Sequence, residues 1–540
     1  MNQKADNVTA LHKRGDRVVM ATSNVQRTLL QYVSEHKHLF LVSLFTFLMI
    51  YMSSFVKGYG YFIDELYYLA CASNPAFGYV DHPPLAPLVL TAFQFVFGTS
   101  LYAIRVLPAL AASASAFFTG IVAKEIGGGK FAQLLAACAM AASPTVIAFG
   151  GFYSMNAFEP LLAIALLYYT IRMIKENNSR QWIVLGIIIG LGMMNKHTFG
   201  VFIVALVFSL LAAGKWRLLS NRWFVAGALC GLTVFSPNIV WQIANNFPSL
   251  EFYRNISTFK NVYTPPAAFV MGQVLGMSPA TVPIWLAGIF FLLFSRQTRE
   301  FTFLSILFVS LFVFMMISGT SRSDRMVFAY PAVFAGGGLF FDSIIVKYNA
   351  RWLKGAMMLL LLGGLAIALP IILPYFSYET VRSHVTWMGL NTEIEKGKKP
   401  PLPQLLADRI GWEEKCELVL RAYQSLADQD KKEALVAAGN YGQAGAIELF
   451  GKEHQLPAVV CAHNTYYLWS KERLHGSIVL LLTNAEDADG LKERFERVDE
   501  FDGEYSSPYV SSHENHLRVF ICRNPRLSLA EMLERGKTYY

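Results

Sequence analysis

Two pairs of polar residues, each with an aspartate, lie close together in one polar segment, residues 58–85, which follows a strongly apolar stretch. The first pair is Asp64 with Glu65, and the second is Asp81 with His82, just before two prolines. A carboxylate at a membrane face can take a proton from a hydroxyl or an amine while that group attacks a substrate carbon. The plainer interpretations are an acidic loop or helix start for the first pair and a turn before a helix for the second.

Two further side chains of this segment could contact a substrate. Aromatic rings surround Asp64, and Tyr61 is predicted to contact a substrate because such rings suit a sugar or lipid pocket. His82 is predicted to bind a phosphate, which would depend on its protonation.

Other polar side chains interrupt apolar spans. Asn156 and Glu159 open one span, and Lys196 with His197 separates two others. A carboxylate just inside an apolar helix needs a partner or water. The alternative is a structural role, in which Glu159 only stabilises the start of its helix.

Three arginines and a tyrosine complete the set of candidates. Arg322 and Arg325 precede Tyr330 in one late polar loop, and Arg254 lies in the long segment 244–279. Arginines suit the phosphate of an anionic lipid, whereas the alternative is contact with ordinary lipid headgroups. The long segment could be a mobile lid or an acceptor-binding element.

The elements that must position these residues are apolar spans. The chain is 54% hydrophobic and 16% charged, with a mean hydropathy of +0.37, which excludes an ordinary soluble protein. About eleven spans are predicted near 38–56, 100–123, 131–149, 156–174, 181–195, 197–213, 223–243, 280–295, 301–318, 326–346 and 353–374. A shorter apolar stretch, 85–97, is predicted to lie at the membrane interface.

Lysine and arginine predict the orientation. The loops 124–130, 172–180, 214–222, 295–300 and 347–354 are all basic and fall on one side of the predicted spans. By the positive-inside rule that side is cytoplasmic, together with an N-terminal tail, 1–37. All candidate site residues then face outside, on a multi-pass protein of a bacterial inner membrane. The net charge of +8 belongs to these loops and does not indicate nucleic-acid binding.

The last part of the chain is predicted to be a separate domain. A membrane domain, 38–376, is followed by an extracytoplasmic α/β domain, 377–540, with a linker near 391–403. Strands are predicted at 433–440, 456–462, 476–483 and 517–523, and helices at 443–450 and 487–497. The six cysteines show no metal-binding spacing.

Taken together, these residues resemble the family-39 membrane glycosyltransferases, which include protein O-mannosyltransferases and bacterial aminoarabinose transferases. The resemblance rests on the Asp64-Glu65 pair, on residues 82–85 (His-Pro-Pro-Leu), on Lys196 and on the segment from Arg325 to Tyr330. It implies a mainly helical GT-C fold, Asp64 as the base, and a sugar donor carried on a polyprenyl phosphate. It also implies inversion at the anomeric carbon without a nucleotide-binding site. No cofactor is required by this scheme, and a divalent metal is possible but not indicated.

Three departures from the family pattern matter. His82 stands where the family has lysine, and Asn156 stands at the usually acidic start of the fourth span, with Glu159 three residues on. The C-terminal part is also unlike the sugar-binding repeats of eukaryotic members. In this scheme Glu65 orients the acceptor, while His82, Lys196, Arg322 and Arg325 bind the donor phosphate. Tyr61, Asn156, Glu159, His197, Arg254 and Tyr330 are the predicted substrate contacts.

Other functions share this layout. An ion-coupled transporter would use the same outer carboxylates, although no inverted repeat is visible. A glycan ligase or polymerase would also take a lipid-linked donor, and a non-enzymatic scaffold would need none of these residues. The acceptor remains open among lipid, glycan and protein.

Overall fold

A computed structural model describes residues 31–319, 322–390, 400–484 and 490–540. The predicted tail, 1–37, and linker, 391–403, lie mostly outside the described residues. The membrane part contains helices α1 Lys37–Met52, α2 Ile63–Ser73, α3 Leu85–Phe97, α4 Leu101–Glu125, α5 Lys130–Ala141, α6 Pro144–Gly150, α7 Met155–Lys175, α8 Gln181–Asn195, α9 Phe199–Ala212, α10 Arg222–Ala244, α11 Pro248–Asn255, α12 Pro266–Gly276, α13 Val282–Phe294, α14 Thr302–Ser318, α15 Tyr330–Tyr348 and α16 Trp352–Ile372.

The count of eleven membrane spans is not confirmed by helix length and composition. In the described part of the chain, seven helices are long and apolar enough, or up to nine if two bent pairs each count as one span. The pair α5–α6 bends by 64° and the pair formed by α12 with Pro279–Phe294 bends by 89°. Each bend falls just before a proline, which has no backbone N–H to continue a helix. Helices α8 and α9, of 15 and 14 residues, are shorter than a full span.

The basic loops gather at one end of the helix bundle. Lys175 pairs with Glu125 at 2.7 Å, and the Trp182 indole donates to the Leu218 carbonyl. A cavity of about 320 Å³ is lined by residues from 127–129, 297 and 339–347, so two further loops meet loop 124–130 there. The packing is therefore consistent with the predicted sidedness of the spans.

The C-terminal part forms an α/β unit. Its helices are α17 Tyr378–Met388, α18 Gln404–Ala407, α19 Trp412–Gln424, α20 Asp428–Lys432, α21 Tyr441–Phe450, α22 Thr465–Ser470, α23 Leu491–Arg494 and α24 Leu529–Arg535. Its strands are β1 Ala434–Ala438, β2 Val459–Val460, β3 Ile478–Asn484, β4 Phe495–Glu500 and β5 Leu517–Pro525. The sheet order is β2-β1-β3-β5-β4, with β2, β1 and β3 parallel and the other two pairings antiparallel.

Four of the five strands lie where the sequence predicts them, and β4 is the exception. The helix predicted at 487–497 lies partly outside the described residues, and its described end is the short helix α23 followed by β4. Strand β4 is an edge strand rich in charged residues. Its apolar and polar residues therefore alternate only weakly, and its sequence resembles that of an exposed helix. The domain boundary at residue 376 remains a prediction.

The C-terminal unit packs directly on α2, the helix that carries the first acidic pair. A Cβ on Gly445 would lie 2.8 Å from the Leu66 carbonyl oxygen, so only glycine permits this approach of α21 to α2. The backbone N–H of Ile63 donates to the Asp408 carbonyl at 3.1 Å, and that of Gly60 donates to the Arg409 carbonyl at 2.9 Å. The first loop is therefore held between the helix bundle and the C-terminal unit.

Candidate active site

The two carboxylates of the first pair have different environments. They are adjacent on the first turn of α2, so their side chains project about 100° apart around the helix axis. Glu65 is completely buried and receives two hydrogen bonds from Arg105, of 3.0 and 2.8 Å. It also accepts from the backbone N–H groups of Phe62 and Tyr153. Asp64 is only half-buried and accepts a 3.1 Å hydrogen bond from the Tyr441 hydroxyl of the C-terminal unit.

These contacts favour a structural task for Glu65. Both of its oxygens are engaged by protein groups, and Arg105 is 1% exposed. Removing one partner of such a buried pair leaves an uncompensated charge. The acceptor-orienting role predicted for Glu65 is therefore not supported by its contacts, which instead hold the helix that carries Asp64.

The predicted residues of the later spans form a second cluster. The Lys196 ammonium donates to Glu159 Oε2 at 2.8 Å and to Asn156 Oδ1 at 2.9 Å. Lys196 can reach them because it lies at the break between α8 and α9, in extended backbone. Glu159 is 1% exposed, and its Oε1 has no hydrogen-bond partner among the described residues. The cluster therefore retains an unused buried acceptor next to a cation.

His197 lies beside this cluster and contacts the long loop. One ring nitrogen, Nε2, lies 2.9 Å from Asn238 Oδ1, and Nδ1 lies 3.3 Å from the Tyr253 hydroxyl. Burial lowers the pKa of His197, partly opposed by its hydrogen bond to Asn238. Tyr253 itself lies within electrostatic reach of Asp81, Arg325 and Glu159, so it connects the two acidic regions.

The two late arginines differ in their contacts. Arg322 makes a bidentate contact with Asp324 of its own loop, at 3.2 and 2.8 Å. Arg325 is half-buried, and within the described ranges its side chain has no hydrogen-bond or ion-pair partner. It interacts electrostatically with Tyr253 and Glu159. Arg325 is therefore the better placed of the two to bind an external anion.

Three other predicted residues differ in their exposure and contacts. His82 is 1% exposed, stacks on Tyr68 at 4.7 Å and has its Nδ1 against the Pro83 carbonyl at 3.0 Å, so the predicted phosphate contact is not supported. Tyr330 is completely buried and donates to Gln273, which places it in the helix core rather than at a substrate. The Arg254 side chain is exposed on α11.

Two others keep local roles. Tyr61 is half-buried, and its hydroxyl donates to the Thr99 carbonyl at 3.0 Å. Asp81 accepts a 2.6 Å hydrogen bond from Tyr67, which lies one turn along α2 from Asp64.

Several residues of the site were missed from the sequence. Arg105 is a charge inside an apolar span, and that signal could have identified it as the partner of a buried carboxylate. Tyr253 and Tyr441 carry no comparable signal, because their importance depends on which residues they meet. In the described part of the chain, no three His, Cys, Asp or Glu side chains come together in a way that could hold a metal ion.

Comparison with known proteins shows similarities in sequence and in fold. Residues 81–241 match the family model described as dolichyl-phosphate-mannose-protein mannosyltransferase. No curated protein matches the chain in sequence. Among solved structures, ArnT from Cupriavidus metallidurans in the apo state has a TM-score of 0.59 at 13% identity, covering 92% of this chain and 98% of that one. The same ArnT bound to undecaprenyl phosphate has a TM-score of 0.59 at 13% identity, covering 91% and 98%.

A third similar structure is arabinofuranosyltransferase AftD from Mycobacteria. Its TM-score is 0.51 at 14% identity, and the match covers 91% of this chain and 40% of AftD. The chain therefore has the GT-C fold. The predicted resemblance to the family-39 glycosyltransferases is confirmed, and the chain is a multi-pass membrane protein.

Proposed function

We propose that this protein is an inverting glycosyltransferase that moves a sugar from a polyprenyl-phosphate donor to an extracytoplasmic acceptor. One observation carries the proposal: the family match covers residues 81–241, and within them the backbone N–H groups of Tyr153 and Met155 donate to Glu65 and Tyr68 on the helix that carries Asp64. The undecaprenyl phosphate in the ArnT structure supports a lipid-linked donor. The site end would face the periplasm of a bacterial inner membrane, opposite the basic loops.

The donor phosphate would bind to the cations of the second cluster. Lys196 is held by Glu159 and Asn156, and Arg325 lies nearby with no protein partner in the described segments. Preorganised cations stabilise charge that develops on a leaving group, particularly where water is excluded. Arg322, which is paired with Asp324, would contribute less.

Asp64 would act as the general base. The acceptor oxygen attacks the anomeric carbon from the face opposite the phosphate, and Asp64 receives the proton of the acceptor hydroxyl. The bond from that carbon to the phosphate oxygen breaks, and its electron pair goes to the phosphate. Lys196 and Arg325 stabilise the resulting charge, so the leaving group needs no proton from the protein.

The proposal is tested by mass spectrometry of lipid-linked sugars and envelope glycoconjugates in the native host. Wild type, a deletion and Asp64→Asn are compared at matched expression, with Asp428→Asn as a control because that side chain is fully exposed. We expect the deletion and Asp64→Asn to accumulate the same prenyl-phosphate sugar and to lose one sugar from the same glycoconjugate, while the control matches wild type. A wild-type profile for Asp64→Asn would contradict the base assignment and favour a transporter or scaffold.

A further inference from the structure

The C-terminal unit reaches into the site and contacts its candidate base. We infer that Tyr441 is a positioning residue for Asp64, so that the membrane helices alone do not form the complete site. This inference rests on the proposed function. The contact is the 3.1 Å hydrogen bond from the Tyr441 hydroxyl to Asp64 Oδ1, which joins residues 377 positions apart.

The Tyr441 ring is fixed from both sides. Its centroid lies 4.8 Å from that of Tyr67 on α2 and 4.8 Å from that of His463 in the C-terminal unit. Aromatic contacts at this distance are favourable and restrict ring rotation. The hydroxyl is therefore aimed at Asp64 by packing as well as by hydrogen bonding.

The helix that begins at Tyr441 is also anchored by buried polar groups. Asn440 caps it by accepting from the N–H groups of Gly442 and Gln443, at 2.9 and 3.0 Å. The Asn440 amide in turn donates to Glu514 at 2.6 Å, and the buried Lys415 pairs with the same carboxylate at 2.6 Å. This network sets the position of Tyr441 relative to the sheet.

A second contact joins the C-terminal unit to the other aspartate of the first loop. Thr465 accepts from the N–H of Val80 at 3.0 Å and lies 2.7 Å from the Tyr67 hydroxyl. That hydroxyl donates to Asp81. The C-terminal unit thus contacts Asp64 directly and is linked to Asp81 through Tyr67. A domain that only covered the site would not need these contacts.

The hydrogen bond to Asp64 has a chemical consequence. A phenol that donates to one carboxylate oxygen restrains rotation of the group. A general base must lie within hydrogen-bond reach of the proton that it accepts, so its orientation matters for proton transfer. Tyr441 would therefore act on the chemical step rather than on binding of the donor.

The test is Tyr441→Phe in the full-length protein, with Tyr509→Phe as its control. Tyr509 also belongs to the C-terminal unit and also donates to a carboxylate, that of Glu379 on α17 of the same unit, but it is not part of the site. Turnover is measured with the prenyl-phosphate sugar extracted from the deletion strain. We expect Tyr441→Phe to lower kcat on the order of ten- to a hundredfold, with the donor KM within about twofold of wild type. The control is expected to stay within about twofold in both constants.

Two results would overturn the inference: an unchanged kcat in Tyr441→Phe, or an equal loss in Tyr509→Phe, which would indicate general loosening of the C-terminal unit. A double-mutant cycle on thermal unfolding, with Asp64→Asn and Tyr441→Phe singly and together, tests the contact without any substrate. Non-additive Tm shifts support the bond, and additive shifts refute it. Because this cycle does not depend on turnover, a failure of the proposed function, seen as wild-type behaviour of Asp64→Asn, remains distinguishable.

Discussion

Two buried carboxylate–cation pairs lie at the same end of the helix bundle and differ in what they leave unsatisfied. In the pair of Glu65 and Arg105, both carboxylate oxygens are occupied and the side chains are 0% and 1% exposed. In the pair of Lys196 and Glu159, one carboxylate oxygen has no partner in the described chain and the lysine side chain is 11% exposed.

The comparison shows that burial of charge alone does not identify a functional site. A buried ion pair whose hydrogen-bonding capacity is exhausted can only hold structure, since a ligand would have to displace a protein contact. Within the described residues, Glu159 keeps one carboxylate oxygen without a hydrogen bond and the Arg325 side chain makes no hydrogen bond, so a ligand can bind there without displacing a protein contact. The two pairs therefore differ in whether a hydrogen-bonding atom remains available to a ligand.

The largest effect is expected when the pair of Glu65 and Arg105, whose carboxylate oxygens are all hydrogen-bonded, is broken. Glu65→Gln leaves Arg105 buried without a counter-charge, and we expect a loss of about 3–5 kcal/mol of stability. Thermal unfolding of the purified protein and folded yield measure it. The matched control is Glu176→Gln, which breaks an exposed pair with Arg172 and should cost less than about 1 kcal/mol. Equal losses in the two variants would contradict the distinction between the pairs.

Replacing both members of each pair sharpens the comparison. Glu65→Leu with Arg105→Met should recover much of the stability lost in Glu65→Gln and retain measurable transfer, because an apolar pair of similar volume can replace a buried ion pair. Glu159→Leu with Lys196→Met should fold equally well but lose transfer, since its charges are proposed to serve the donor. Transfer is followed by loss of the donor in membranes, and activity in the second double variant would remove this pair from the site.

A smaller effect is expected from Arg325→Ala. The side chain makes no hydrogen bond within the described ranges, so the fold should be unchanged while the apparent donor affinity falls roughly ten- to a hundredfold. Titration of turnover against donor concentration measures it. Arg254→Ala, at an exposed position, is the control and should stay within about twofold of wild type. An unchanged donor affinity in Arg325→Ala would exclude it from the phosphate site.

The smallest effect concerns a third buried pair, outside the membrane. Although burial opposes it, the Lys415 ammonium holds the pKa of Glu514 below the usual value of 4.5. A carboxyl group whose pKa is lower in the folded than in the unfolded protein stabilises the fold at any pH above its unfolded-state pKa. This stabilisation is lost as the pH falls through the folded-state pKa. We expect the Tm of wild type to fall below about pH 4.5 more steeply than that of Glu514→Gln. Parallel pH profiles of the two proteins would contradict this assignment.

Much of the architecture could be predicted from local patterns. Apolar spans, basic loops and four of the five strands depend on residues near one another in the chain, and so did the idea that Asp64, Lys196 and Glu159 belong to one polar end. The exact number of spans is not confirmed, because hydropathy does not reveal where a helix stops short or bends, as at Pro144.

Only the tertiary structure decided which polar side chains find hydrogen-bond partners within the protein. Adjacent residues Asp64 and Glu65 look equivalent in sequence, yet Arg105, 40 positions away, saturates one, and Tyr441, 377 positions away, contacts the other. His82 and Tyr330, plausible ligands by type, are enclosed by neighbouring rings. The physical reason is that hydropathy and periodicity are properties of a continuous segment, whereas hydrogen-bond satisfaction depends on contacts that exist only after distant segments have packed together.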